Sequence, residues 1–151
     1  MHTVYDIAHW MINHATGVTN KKLQKLAYYA YAWFIALNNE SKDAIENRLF
    51  VARFEAWVHG AVCPELYDTY RSYGSRTIPQ REDIILQFSP DELDTLNQVL
   101  EVYDPYNGNE LESICHQESP WLNARQGLEP YEPSHNLISD ADIYECYAAR
   151  L

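Results

Sequence analysis

Apolar residues recur along this chain mostly at helical spacing. The longest uninterrupted run is "LAYYAYAWFIAL", residues 26–37, which lies without a charge between Lys25 and Glu40. On a helix Leu23, Leu26, Ala30, Phe34 and Leu37 share one face, while Tyr28, Ala32 and Ile35 line another. The run is shorter than the ~20 apolar residues a membrane-spanning helix needs. The hydroxyls of Tyr28, Tyr29 and Tyr31 would also lack partners in lipid. The pattern predicts a central core helix, capped by Thr19 or Asn20 and enclosed by other elements of its own fold.

The flanking segments supply those elements. A first helix is expected from Thr3, with Ile7, Trp10, Met11 and His14 on one side, until "ATGVTN" breaks it at Gly17. In "LFVARFEAWVHGAV" the period shortens to two. Val51, Arg53, Glu55 and Trp57 alternate with Ala52, Phe54, Ala56 and Val58, the signature of a short strand or extended segment, with Gly60 supplying a turn. Pro64 suits the first turn of a helix over "PELYDTYRSYG", which carries Leu66, Tyr67, Tyr70 and Tyr73 and ends in a left-handed cap at Gly74. "SRTIPQREDIILQF" reads as a linker.

Ser89, Pro90 and Glu92 then form a capping box ahead of a core stripe of Leu93, Leu96, Val99, Leu100 and Tyr103. A helix over "NELESICHQ", one more turn from Ser119 and Pro120, a proline-bearing loop and a last helix capped by Ser139 complete the chain. This gives about six helices and one small β element. The expected fold is mainly α, a compact helical bundle around the central hydrophobic helix.

With 151 residues the chain makes one domain, able to bury about two-thirds of its unfolded surface. Its first residues, "MHTVYDIAHW", lack a secretory leader, and the cysteines Cys63, Cys115 and Cys146 suggest no disulfide framework. A cytoplasmic location is expected. Charge is unevenly spread: residues 1–81 hold nine Lys or Arg and seven acids, whereas residues 82–151 hold two against fifteen. So acidic a half repels nucleic acid and steers a basic partner inward.

Candidate chemistry is sparse. No phosphate loop, nucleophile elbow or zinc-protease helix is present. His59, Cys63, Cys115 and His116 offer zinc-binding atoms without the paired-cysteine spacing of a structural site. Cys115 and His116, as helix neighbours, point about 100° apart and form no nucleophile–base pair. Asp91 and Glu92 are explained by helix capping. No catalytic residue, metal or cofactor is expected, and the chain reads as a non-enzyme. Twelve tyrosines and four tryptophans are more than a small core requires, and these residues carry much of the energy of protein interfaces. Tyr67, Tyr70, Arg71 and Tyr73, on one helix, are the expected partner contacts.

The blocks "TNKKLQKLAYYAYAWFIAL", "LFVARFEAWVHGAVCPELYDTYRSYG" and "CHQESPWLNAR", in this order, resemble the Panacea domain of SocA-like antitoxins, which also occurs in phage-associated GepA-type proteins. Lys22, Leu23, Lys25 and Leu26 match the start of the family's long helix. Phe54, Ala56, Trp57, Gly60, Pro64 and Tyr67 match its extended segment and the turn beyond. His116, Glu118, Pro120, Trp121 and Arg125 match its C-terminal signature. Ala61 departs from the pattern, standing where members commonly have proline.

The resemblance implies a single antitoxin domain over residues 1–151, with no appended DNA-binding domain. It would neutralise a cognate protein toxin, encoded by the adjacent gene and expected to be basic, through direct contact. Neither nucleic-acid binding nor membrane insertion is implied. The alternative is a proteolytic adaptor or phage-borne interaction module acting on a host protein. Leu23, Leu26, Phe54, Trp57, Gly60, Pro64, His116, Pro120 and Trp121 are expected to be scaffold, with the toxin-facing surface elsewhere.

Overall fold

Thr19 starts the longest helix. Its hydroxyl accepts the Lys22 amide at 3.2 Å, and α2 (Asn20–Asn38) runs 19 residues from there. In the computed structural model, which describes residues 1–151, α2 is the centre of the molecule. Four further helices and a hairpin enclose it: α1 (Val4–His14), α4 (Pro90–Tyr103), α5 (Gly108–Cys115), α7 (Asp140–Ala148), and β1 (Glu55–Trp57) paired with β2 (Gly60–Val62). Short helices α3 (Pro64–Tyr70) and α6 (Ser119–Ala124) follow the hairpin and α5. The two strands are antiparallel, with Ala56 opposite Ala61 and Trp57 opposite Gly60. No helix is long and apolar enough to cross a membrane.

Local capping explains where the helices begin. Thr3 with Asp6, Ser89 with Glu92, and Asn107 with Glu110 each form a reciprocal capping box, satisfying amides that a helix start leaves open. One core of 37 residues, from Val4 to Tyr147, unites these elements. Each wholly buried leucine, such as Leu23 or Leu26, contributes ~1.5–3 kcal/mol by leaving water.

The tyrosines of α2 keep their hydroxyls paired. Tyr29 donates to Glu118 at 2.7 Å and Tyr31 to Asp140 at 2.7 Å, while Tyr28 meets the Tyr147 hydroxyl at 3.3 Å. Glu118 also accepts Tyr147 at 3.0 Å and Arg150 at 2.8 Å. Burial drives the Tyr28, Tyr29 and Tyr147 hydroxyls well above their ordinary pKa, so they remain donors.

His14 lies on the same side of α1 as Trp10, as expected, stacking on its ring while remaining exposed. Three local expectations change. Leu37 is 41% exposed, on the wall of a groove left between α2 and α4. The hairpin turns at Val58 and His59, and Gly60 begins β2 with φ at 106°. Gly74 has positive φ, but its ψ of −125° lies outside the left-handed helical region, and a 3-10 turn (Arg71–Tyr73) precedes it.

Candidate partner-binding site

The hairpin is clamped by side chains. Three consecutive carbonyls running from its first strand into its turn, those of Ala56, Trp57 and Val58, accept from Arg125 Nη1 (2.9 Å), Trp121 Nε1 (2.8 Å) and His116 Nε2 (2.8 Å). All three donors come from "CHQESPWLNAR". These side chains hold the turn end of the hairpin, beyond the single bridge that Glu55 makes with Leu137. The Trp121 ring also stacks with His116 at 4.2 Å and lies 5.1 Å from the Arg125 guanidinium. Arg125 Nη2 reaches on to the carbonyls of Glu129 and Glu132, anchoring the proline-bearing loop. That loop returns to β1, where Ala56 N donates to Asn136 and Ile138 N to Phe54.

A second set of bonds ties the hairpin to α2. Gln24 Oε1 accepts the Cys63 amide at 3.1 Å, Gln24 Nε2 donates to Asn20, and Asn20 donates to the Tyr67 carbonyl. Lys25 Nζ donates to the Ala61 carbonyl at 3.1 Å. A Cβ on Gly60 would sit 2.6 Å from Lys25 Cε, so the glycine admits both the positive φ and the lysine.

Lys25 is 1% exposed, and burial lowers its pKa from 10.5 to about 8. Its neighbour Lys22 is buried too but differs in its partners: it donates to the carbonyls of Thr16 and Asp104 and to the Asp104 carboxylate, all within 2.9 Å. Lys25 has one acceptor and no carboxylate.

Lys25 lines a polar cleft of about 540 Å³ between the start of α2, the hairpin, α3 and the start of α5. Lys21, Trp57, His59, Tyr67, Arg71 and residues 107–109 complete most of its wall. Lys21 Nζ reaches both Glu112 and Asn109 at 2.6 Å, and Glu112 also meets His59 at 3.0 Å. Trp57 and Tyr67 meet edge to face at 5.1 Å. Gly108 lets α5 approach closely, since a Cβ there would stand 3.1–3.3 Å from Lys21 and Lys22 atoms.

The four expected partner contacts divide between two faces. Tyr67 and Arg71, one helical turn apart, both line the cleft. Tyr70 is buried in the core, and Tyr73 packs partly buried with its ring 6.2 Å from Tyr70. Of the expected scaffold residues, Leu23, Leu26, Phe54, Gly60, Pro120 and Trp121 are buried, while Trp57, Pro64 and His116 are partly so. Sequence reasoning did not place Lys21, Lys25 and Asn109 together, because they come from distant segments. The polar caps Thr19 and Asn107 were the available signal that two helices start there.

It also missed an apolar groove of about 140 Å³ at the far end of α2, lined by Trp33, Leu37, Val99, Val102, Tyr103 and Leu151. Val102 is 56% exposed, and α4 beside it carries Asp91, Glu92, Asp94 and Glu101 with no basic residue.

The cysteine and histidine atoms are otherwise engaged. Cys63 Sγ donates to Glu65, and burial pushes its thiol up to about 12 and that of Cys115 up to about 11. Such thiols are poor nucleophiles at neutral pH. His116 is held by the Val58 carbonyl, and no group of three or more His, Cys, Asp or Glu is arranged to hold a metal ion.

The family model described as "Antitoxin SocA-like, Panacea domain" matches residues 23–122, the span from the first turn of α2 through the hairpin to Trp121 and its neighbour. No curated protein and no solved structure matches the chain.

Proposed function

This chain belongs to the SocA-like antitoxin family that carries the Panacea domain, and from that membership we propose that it neutralises a cognate protein toxin by binding it directly. The family match is the observation that carries the reading. The surface that supports it is the apolar groove between α2 and α4. Leu37 and Val102 are exposed there, and α4, which forms one wall, carries four acids along its length and no basic residue, a combination that suits a partner presenting apolar side chains together with lysine or arginine. The acid-rich second half of the chain would speed capture of such a basic toxin. Binding of this kind occludes the toxin stoichiometrically and turns over no substrate.

Co-expression provides the test. The product of the adjacent gene should arrest growth alone, growth should recover when this chain is supplied, and the two should co-elute in fixed ratio on size exclusion. Continued arrest, with no complex formed, would overturn the proposal.

A further inference from the structure

The cationic cleft has a charge surplus unlike the rest of this acidic protein. Its wall carries three lysine or arginine side chains, Lys21, Lys25 and Arg71. Two carboxylates answer them: Glu112 at 2.6 Å from Lys21, and Asp68 at 3.7 Å from the exposed Arg71. Lys25 has neither, only the carbonyl of Ala61. A buried ammonium without a counter-ion is costly, and a ligand anion would relieve that cost. The starts of α2 and α5 border the same cleft, and their positive ends favour negative charge there.

We propose that this cleft binds the carboxylate of an extended polypeptide segment, with Lys21, Lys25 and Arg71 supplying the charge and Trp57 and Tyr67 packing its flanking residues. Charge decides the ligand class. One unbalanced cation matches one carboxylate, whereas a nucleoside polyphosphate would bring several negative charges to a chain of net charge −11. Trp57 and Tyr67 are partly buried and meet edge to face, a rigid apolar wall of the kind that anchors peptide side chains. The carboxylate can come from an acidic side chain or from a chain terminus. That the segment belongs to the toxin rests on the antitoxin reading; the chemistry of the cleft does not.

The test is a random array of eight-residue peptides, each made with free and with amidated C-termini, probed with the full chain. Binders should be enriched in Asp or Glu if a side chain is recognised, or lost on amidation if a terminus is. Titrating the best binder against Trp fluorescence should show affinity weakened about tenfold or more by Lys25→Met and by Arg71→Glu. Arg71 is 70% exposed, so its reversal spares the fold. Ile85→Ser, at an exposed residue that lines neither the cleft nor the groove, should leave peptide affinity unchanged.

The inference falls if binders need no carboxylate, if no peptide binds, if both cleft variants bind like the wild type, or if ATP or inorganic phosphate binds more tightly than any peptide. The two readings fail separately. A toxin complex insensitive to both cleft variants removes the carboxylate from that interface and leaves the antitoxin. Carboxylate peptides that bind a chain unable to rescue growth do the reverse.

Discussion

Replacing Lys25 with methionine should stabilise this protein at neutral pH, and the gain should disappear in alkali. Methionine keeps most of the side-chain volume and removes the ammonium. Lowering the lysine pKa from 10.5 to about 8 by burial corresponds to about 3 kcal/mol held against the folded state while both states are protonated. Losing the bond to the Ala61 carbonyl returns about 1–2 kcal/mol of that. The net gain at pH 7 is then about 1–2 kcal/mol, or roughly 2–8 °C in Tm.

The sign with pH follows from which state holds the proton. Between pH 8 and 10.5 the native lysine is deprotonated while the unfolded one is not. The unfolded chain therefore binds more protons, and wild-type stability rises relative to the variant. At pH 10.5 most of the penalty is gone and Lys25→Met should be the less stable protein, by about 1 kcal/mol. Urea unfolding of both proteins, followed by far-UV circular dichroism at pH 7, 8.5, 9.5 and 10.5, measures the difference, in which titrating groups remote from Lys25 cancel. A variant less stable than wild type at pH 7, or a difference flat across the series, refutes the reasoning.

Other substitutions probe the clamp and the two surfaces. Gly60→Ala forces a β-carbon against Lys25 at φ of 106° and should cost about 1–3 kcal/mol in chemical denaturation, only partly recovered in combination with Lys25→Met. Arg125→Lys cannot span the carbonyls of Ala56, Glu129 and Glu132 with one ammonium. It should lose about 1–3 kcal/mol and speed hydrogen exchange at the Ala56 and Ile138 amides. Val102→Glu should change stability by no more than about 0.5 kcal/mol and weaken the toxin complex at least about tenfold in calorimetry.

Much of the fold was legible because its signals are local. The uncharged run of α2 is too short to span a bilayer and too apolar to face water, so burial inside its own protein was the remaining solution. Thr3, Thr19, Ser89 and Ser139 identified helix starts because a cap acts within three residues of itself. Pro64 and Pro90 stand in first turns, where a missing amide costs nothing. Period-two alternation found the β segment, but which of its residues pair was not local information, since pairing needs a partner strand and three residues per strand have one.

What tertiary structure alone decided is which polar atoms meet. Local pattern says that Lys25 lies on a buried helix, but only folding brings Ala61 to its ammonium, Gly60 beneath its stem and no carboxylate within reach. Likewise the spacing of Tyr67, Tyr70, Arg71 and Tyr73 puts them on one helix, and packing sends Tyr70 inward while Arg71 borders the cleft. Leu37 belongs by periodicity to the core stripe, yet it stays partly exposed where the packing of α2 and α4 leaves a groove between them. Periodicity reports the preference of one element for water or oil. Partners, charge balance and exposed grooves depend on distances between residues far apart in the chain, which are set only when the elements pack together.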